Sequence, residues 1–485
     1  RVISGGTEQE ISYNEFLTMV EDGKVESVEL AADRINITPV KETQETPLVM
    51  SQPEIVYYTG LVEDEGLVQY LVDHNVEVKG EVQDNSGYFL SLILTYILPF
   101  VLVWVALSFI FTWTMSLSVM CNNIAFMWAA IEATTLASVF LVAVKNDKKS
   151  TESGYKYIVL CSIGLAFALY ATILLYSAAN GKIDGEAMLY TNLLANAANL
   201  DSMALKLVFI FALIGFGTKA GLAPTHTWLP DVHAEGPAPT SALLSGVLLK
   251  CAMLGLIRYY AVVANGVGFD FVQSIMIVSG TLTLFVSAFF LIRQHNVKRM
   301  FAYHSIAHMG VIAFGLGVGG AIGLFAALFH CAAHSFTKAL AFCSTGNIAK
   351  IYGTKDMTKM GSMIRIAPLT AVLFGIAICS LVGVPGFAIF VSEFLIFKAA
   401  AVDGKYILMG IFALALAIIF IADFSHFFLA SFGKVEGKVE HNGEMKLSEN
   451  LPLIALAILI VSFGIWQFDS FTFLLDESVK NIVKQ

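Results

Sequence analysis

Five ionisable side chains lie inside long apolar runs of the chain, where a charge is costly. They are Glu132, Lys219, Lys250, Lys338 and Glu393. Charged groups inside apolar helices of this kind are rare, and they usually belong to buried ion pairs, ion paths or proton paths. One such group fits a structural role as well as a functional one, but five in one chain favour a pathway.

Histidines at helical spacing add to this set. His330, His334 and Lys338 stand at i, i+4 and i+8, so one helix face would present three titratable groups. His304 and His308 are also four residues apart. Helix-cap or loop positions are the alternative for this pair, and a zinc site is disfavoured because no carboxylate or cysteine completes it in the sequence. The spacing therefore predicts a relay of titratable groups and no metal site.

Helix-breaking residues stand beside two of the five charges. Pro224 and Pro230 follow Lys219, and a Gly-Val-Pro-Gly segment at 383–386 precedes Glu393. Broken helices free backbone groups that must line water or protein rather than lipid. Ordinary proline kinks are the alternative, but the coincidence with charged residues favours hydrated cavities.

Further polar residues are accessory candidates. Those near the first break could form an aqueous opening, and they are His226, Asp231, His233 and Glu235. Asp423 and His426 form a second candidate pair, to which the sequence gives no defined role.

The composition is that of a polytopic membrane protein. Hydrophobic residues make up 57% of the 485 residues and charged residues only 14%, with a mean hydropathy of +0.73. Soluble domains carry about 25% charged residues. Residues 1–90 differ from the rest, because they hold 5 basic and 18 acidic side chains and so carry a net charge of −13. This acidic balance argues against nucleic acid as a partner.

The hydropathy pattern predicts a mostly α, polytopic transmembrane bundle preceded by a small α+β extramembrane domain. Residues 11–80 alternate short apolar runs with charges, which predicts short strands, an early helix, and then an amphipathic helix followed by a strand. An apolar run at 88–120, interrupted by Pro99, is long enough to span a membrane. About 12 spans are expected, the others near 122–145, 156–177, 204–223, 239–264, 270–292, 302–318, 320–345, 367–383, 386–400, 405–432 and 451–468.

The six cysteines predict no cofactor. They are Cys121, Cys161, Cys251, Cys331, Cys343 and Cys379, all in or next to apolar runs and none in a C-x-x-C pair. We expect them to be small buried hydrophobic residues rather than cluster ligands. Any redox chemistry would then belong to a partner.

Residues 11–107 resemble the extracytoplasmic domain and second membrane helix of the FtsH family of membrane ATPase–proteases. The matching stretches are ISYNEFLTMVEDGKVESVEL, YYTGLVEDEGLVQYLVDHNVEVKG and SLILTYILPFVLVWVAL. No G-x-x-x-x-G-K-[ST] phosphate loop and no H-E-x-x-H zinc motif occurs in the sequence. The resemblance therefore does not imply ATPase or protease activity.

From about Phe109 onward the chain resembles the antiporter-like proton-translocating subunits of complex I, of Mrp-type antiporters and of membrane-bound hydrogenases, and above all hydrogenase-4 component F. The matching stretches include NNIAFMWAAIEATTLASVFLV, GTKAGLAPTHTWLPDVHAEGPAPTSALLSGVLLK, KRMFAYHSIAHMGVIAFG, HCAAHSFTKALAFCSTGNI and GVPGFAIFVSEFLIF. The resemblance implies a bundle with broken helices and a proton path along the middle of the membrane.

The resemblance also implies roles for single residues. Glu132 and Lys219 would be a switching pair, in which the lysine releases its proton when the carboxylate moves away. Lys250 and Lys338, with His308 and His334, would relay protons, and Glu393 would be the terminal group. Related subunits often have a lysine at this last position, so a glutamate reverses the charge there.

The expected domains are 1–87 (FtsH-like), 88–112 (membrane helix and seam) and 113–485 (antiporter-like membrane domain). The seam lies within residues 100–112, inside an apolar run. The antiporter-like subunits normally begin with about four further helices, and the first FtsH helix is also missing. We therefore expect two sequences joined by assembly or gene prediction rather than a natural fusion.

The predicted function is that of a non-catalytic, proton-translocating subunit of a redox-driven complex, such as a membrane-bound [NiFe] hydrogenase or an NADH:quinone oxidoreductase-like complex. Its partners would be the other membrane and hydrophilic subunits and the lipid bilayer, in a prokaryotic cell (inner) membrane. An Mrp-type Na⁺/H⁺ antiporter subunit is the alternative, and an FtsH-type protease fragment is a weaker one.

Overall fold

The computed structural model describes residues 8–31, 33–40, 56–80, 91–183, 185–441 and 443–483. It divides into two compact units, Arg1–Phe100 and Val101–Gln485. The sequence-based boundaries at 87 and 112 stay predictions.

The first unit contains a small α+β domain, as predicted. Its five-stranded sheet has the strand order β1-β4-β3-β2-β5. The strands are β1 Glu8–Glu10, β2 Val25–Leu30, β3 Arg34–Pro39, β4 Val56–Gly60 and β5 Glu77–Gly80, and the helices are α1 Tyr13–Glu21 and α2 Leu67–Asp73. β2 and β3 pair antiparallel and so do β3 and β4, whereas β1 runs parallel to β4 and β5 parallel to β2.

The local sequence explains the first helix of this domain. The Ser12 side chain accepts from the backbone of Glu15, and the Glu15 side chain accepts from the backbone of Ser12, which satisfies free N–H groups at both ends of the turn. The apolar face of α1 buries Phe16 and Val20 in the core formed by the inward side chains of β2 and β3.

The second unit is a helical bundle. Its helices are α3 Leu98–Met120, α4 Ile124–Val142, α5 Lys148–Ala179, α6 Tyr190–Ala195, α7 Ser202–Ala220, α8 Trp228–Glu235, α9 Ala238–Leu243, α10 Leu249–Val267, α11 Phe269–Ile292, α12 Val297–Val318, α13 Gly320–Tyr352, α14 Met363–Ile366, α15 Pro368–Leu381, α16 Ala388–Val402, α17 Tyr406–Phe432, α18 Leu447–Ile465 and α19 Asp469–Val483. π-helical turns lie at Ile93–Ile97 and Leu244–Leu248, and 3-10 turns at Ala197–Asn199, Thr225–Thr227 and Met357–Lys359.

Ten helical segments in the described residues are long and apolar enough to cross a membrane. The predicted number of about 12 is too high, because the segments expected at 367–383 and 386–400 are α15 and α16, with 14 and 15 residues. At 1.5 Å per residue each is only about 21–23 Å long, short of the ~30 Å hydrocarbon core. Neither can cross alone, although the two together have enough length for one crossing.

The helix breaks lie where proline and glycine predict them. α7 ends at Gly221, whose φ of +83° suits glycine, and a 3-10 turn then leads into α8. α15 and α16 are separated by the Gly383–Phe387 segment, where Gly383 has a φ of +68°. Pro99 does not interrupt its helix as expected, because the π-helical turn before it precedes a continuous α3.

Close backbone packing joins α5 to α7. A Cβ placed on Gly215 would lie 2.4 Å from the backbone nitrogen of Ala168 and 2.5 Å from its Cβ. Small residues let membrane helices approach in this way, where lipid gives no hydrophobic drive for association. This contact fixes α7, and with it Lys219, against α5.

Candidate functional site

Lys219 is fully buried near the end of α7, where two hydroxyl groups hold its ammonium. Its Nζ donates to Thr135 Oγ1 at 2.7 Å and to Tyr157 Oη at 2.8 Å. The Tyr157 ring centroid lies 4.6 Å from Nζ, and Ser138 Oγ is 2.8 Å from Tyr157 Oη. The charge thus has polar and π contacts in place of water.

Glu132 lies one helical turn from Thr135 on α4 and is half-buried. Its Oε1 accepts from Ser162 Oγ at 2.7 Å. Among the ion pairs of the described residues, none joins Glu132 to Lys219. The predicted pair is therefore separated in this structure, with the carboxylate held by α5 and the ammonium held by Thr135 and Tyr157. We call Glu132, Thr135, Ser138, Tyr157 and Lys219 the lysine cluster.

A π-helical turn positions Lys250. This wider turn, Leu244–Leu248, leads directly into α10, and the Ser245 carbonyl accepts from Lys250 Nζ at 2.5 Å. The same Nζ lies within hydrogen-bonding distance of His334 Nδ1 on α13. The helix irregularity therefore provides an acceptor at the point where the lysine meets a histidine.

From His334 a continuous row of imidazoles runs between α12 and α13. The His334 and His308 ring centroids are 4.6 Å apart, and His308 Nδ1 is 2.9 Å from His330 Nε2. His330 Nδ1 is 2.8 Å from Ser392 Oγ, which precedes Glu393 on α16. We call Lys250, His334, His308, His330 and Ser392 the histidine chain, and it ends beside the terminal glutamate.

Glu393 is buried at the break between α15 and α16. No described group donates to its Oε1, and its Oε2 lies against Gly383. A Cβ on Gly383 would be 2.1 Å from Oε2, so only glycine leaves room for the carboxyl group in this position.

His304 branches from the histidine chain. Its ring is 5.8 Å from that of His308, and its Nε2 pairs with Asp423 on α17. Both partners are fully buried, so the helix-cap or loop alternative for His304 is wrong. The other residue of the Asp423 pair, His426, contacts the Leu291 carbonyl at 3.1 Å instead.

Lys338 lies on α13 one turn beyond His334 but outside the hydrogen-bonded chain. Its Nζ donates to the Phe301 carbonyl at 2.7 Å and lies 5.4 and 5.7 Å from the rings of Phe301 and Phe342. The Phe342 ring also stacks on His233 at 4.7 Å. His233 is fully buried, and neither of its ring nitrogens has a hydrogen-bond partner among the described residues.

Asp231 lies at the surface, two residues before His233. It forms ion pairs with Lys156 and Arg299 and lines a polar cavity of about 310 Å³. The predicted accessory residues therefore separate into an exposed group at this cavity and a buried histidine behind it. No hydrogen bond in the described chain links either of them to the histidine chain.

Sequence reasoning missed the hydroxyl partners Thr135, Ser138, Tyr157, Ser162 and Ser392. Serine and threonine are common in membrane helices, where they often bond to the backbone of the preceding turn. Only the packing of α4, α5 and α16 shows which of them face a charge. Lys298 was also missed, although it is a buried lysine, and its Nζ bonds to the carbonyl of Gly236 just after α8.

The ten apolar segments, the two broken helices and the buried titratable groups define a polytopic helical membrane protein with an internal polar chain. The chain belongs to the NADH:quinone oxidoreductase/Mrp antiporter transmembrane family, whose model matches residues 121–419. It is therefore an integral membrane protein of a prokaryotic cell membrane. A second family, the FtsH extracellular domain, matches residues 2–83, so the predicted joining of two families is confirmed.

Curated relatives extend over much of the membrane unit. A hydrogenase-4 component F homolog of Methylacidiphilum infernorum is 38% identical over 59% of this chain and 60% of its own length. A Na(+)/H(+) antiporter protein of Alkalihalophilus pseudofirmus is 27% identical over 68% of this chain and 66% of its own length. The chain thus spans about 60–66% of these two relatives.

Solved structures share the fold. A chain of the archaeal membrane-bound sulfane sulfur reductase aligns with a TM-score of 0.69 and 25% identity, covering 78% of this chain and 75% of that one. A chain of the Mrp complex from Dietzia sp. aligns with a TM-score of 0.68 and 19% identity over 78% of this chain and 77% of that one, a likeness of fold alone.

Proposed function

We propose that this chain is a proton-translocating, antiporter-like subunit of a redox-driven membrane complex. The observation that carries the proposal is the histidine chain, in which Lys250, three imidazoles and Ser392 follow one another at contact distance up to Glu393. A neutral imidazole has one donor and one acceptor nitrogen, so a row of them can pass a proton from ring to ring.

The lysine cluster would control the charge next to this chain. With Glu132 held by Ser162, the ammonium of Lys219 depends on the hydroxyls of Thr135 and Tyr157. Movement of the carboxylate toward Lys219 would favour the protonated lysine, and its return would favour release. No hydrogen bond in the described residues joins the lysine cluster to the histidine chain, so water or a conformational change would complete the path.

Transport against a membrane potential needs a driving reaction. Moving one charge costs about 2.3 kcal/mol per 100 mV. The sequence contains no motif for a redox cofactor, so the energy would come from partner subunits, both membrane-embedded and hydrophilic. The likeness to a hydrogenase-4 component F homolog and to a chain of an archaeal respiratory complex supports such an assembly.

A Na⁺/H⁺ antiporter of the Mrp type is the second candidate. The likeness to the Na(+)/H(+) antiporter protein and to a chain of an Mrp complex favours it, and both functions use the same buried residues. An FtsH-type protease fragment is a weaker alternative, because both catalytic motifs of that family are absent from the sequence.

Ion flux into proteoliposomes tests these functions. Lys219→Ala should reduce proton flux relative to the wild type, because it removes the charge of the lysine cluster. His441→Ala, at an exposed histidine outside both groups, should leave the flux unchanged. Equal flux in Lys219→Ala and wild type would contradict the pathway, and a requirement for sodium would select the antiporter.

A further inference from the structure

The face of α16 that carries Glu393 borders an open groove against α17. The cavity has a volume of about 580 Å³, and it opens on the outer surface of the membrane unit. Four phenylalanines line it, and they are Phe390, Phe394, Phe397 and Phe420. The Phe394 side chain is 56% exposed, so the groove is accessible from the side of the bundle.

Glu393 lies at the floor of this groove. Its side chain is only 5% exposed, and its Oε1 has no hydrogen-bond partner among the described residues. No ion pair of the described chain includes it. Because Oε2 occupies the space that a Cβ on Gly383 would fill, the carboxyl group is held at the helix break and faces the aromatic walls.

We propose that this groove is a binding site for a lipophilic organic cation, with an apolar body between the phenylalanines and a protonated amine or guanidinium against Glu393. Aromatic rings attract organic cations, and a desolvated carboxylate adds a charge-assisted hydrogen bond. The volume is within the ~300–1,000 Å³ of ligand pockets.

Other occupants fit the groove less well. A lipid acyl chain would match the phenyl walls but would leave the carboxyl group without a partner in an apolar setting, which is costly. A small hydrated metal cation would need about six oxygen ligands, whereas the walls offer phenyl rings and a single carboxyl group. An organic cation satisfies both the walls and the floor.

This inference goes beyond the proposed function, because binding requires no proton transfer through the chain. A bound cation would nevertheless cover Glu393 and pair with it. A failure of the binding test would leave the flux experiment unaffected, and a failure of the flux experiment would leave the binding test unaffected.

The test is calorimetric titration of the purified full-length protein in detergent with 4-phenylbutylamine, compared with the neutral 4-phenylbutanol. A hydrogen bond to a charged group corresponds to about ten- to hundredfold in affinity. The amine should bind tighter than the alcohol by this factor. Glu393→Gln should lower the affinity for the amine to that of the alcohol.

Three further variants make the result specific. Gly383→Ala keeps the carboxyl group but displaces it, so it should weaken the amine and spare the alcohol, and it serves if Glu393→Gln fails to fold. Phe394→Ala should weaken both compounds. Glu132→Gln, at a half-buried carboxylate elsewhere in the membrane unit, should leave the affinity for both unchanged.

Equal affinity for amine and alcohol would overturn the proposal and assign the groove to lipid acyl chains. Unchanged amine binding in both Glu393→Gln and Gly383→Ala would overturn it as well, because the cation would then be bound elsewhere.

Discussion

The hydroxyl of Tyr157 offers a way to measure whether Lys219 is charged in the folded protein. Tyr157 Oη lies 2.8 Å from Lys219 Nζ and 2.8 Å from Ser138 Oγ. Tyr157→Phe removes this hydroxyl and keeps the ring that stacks near Trp228 at 4.9 Å. Lys219 would then keep only the Thr135 hydroxyl as a hydrogen-bond acceptor.

The size of the effect depends on the charge. A hydrogen bond to a charged group contributes about 1.5–3 kcal/mol, and a neutral one about 0.5–1.5 kcal/mol. Hydrogen bonds inside membrane proteins average about 0.6 kcal/mol. We therefore expect Tyr157→Phe to lower the free energy of unfolding by about 1.5 kcal/mol or more if Lys219 is protonated.

Tyr259→Phe is the matched control. Tyr259 is equally buried, and its hydroxyl lies 2.7 Å from Thr172 Oγ1, so this substitution removes a bond between two neutral groups. Its expected cost is about 0.6 kcal/mol. The assay is reversible unfolding in mixed micelles, followed by tryptophan fluorescence.

A double-mutant cycle with Lys219→Met completes the test. In the Lys219→Met background, the cost of Tyr157→Phe should fall to that of Tyr259→Phe. A cost of Tyr157→Phe no larger than that of the control, or one unchanged by Lys219→Met, would refute the idea that this tyrosine stabilises a buried ammonium.

Two other predictions concern helix packing and pH. Gly215→Ala should destabilise the bundle by about 1–3 kcal/mol through overpacking against Ala168, whereas Gly410→Ala, with no atom within 4 Å of the new Cβ, should be neutral or stabilising in the same unfolding assay. Backbone N–H donation from Ser150 lowers the pKa of Asp147, the cap of α5, below its usual 3.8. Its stabilising contribution is therefore present above pH 3.8 and lost as the pH falls through the lowered pKa; unfolding curves of Asp147→Asn should lack this acid-dependent step, and an unchanged pH profile would contradict the assignment.

Much of the fold could be predicted from hydropathy and punctuation alone. Long apolar runs predict membrane helices because only closed hydrogen-bonding structures survive in lipid. Proline and glycine predict the breaks after α7 and α15 because they remove donors or permit positive φ. The number of spans was too high because apolar composition alone does not reveal that α15 and α16 are each too short to cross.

The site was less predictable than its members. Charged residues in apolar runs are visible in the sequence, but their partners depend on side-chain direction and helix packing. The sequence could not show that Lys338 bonds to the carbonyl of Phe301, or that Asp423 pairs with His304 instead of His426. Nor could it show the hydroxyl groups around Lys219, because nothing in their spacing differs from ordinary membrane serine and threonine.

Proton flux through a His308→Gln variant tests the central claim most directly. His308 lies in the middle of the histidine chain, with ring centroids 4.6 Å from His334 and 5.0 Å from His330. Glutamine fills much of the space but cannot exchange one proton for another as an imidazole does. Because a positioned proton-transfer group typically contributes at least a hundredfold, the account predicts a loss of about two orders of magnitude in flux, with His441→Gln unchanged. Wild-type flux in a folded His308→Gln protein would contradict it.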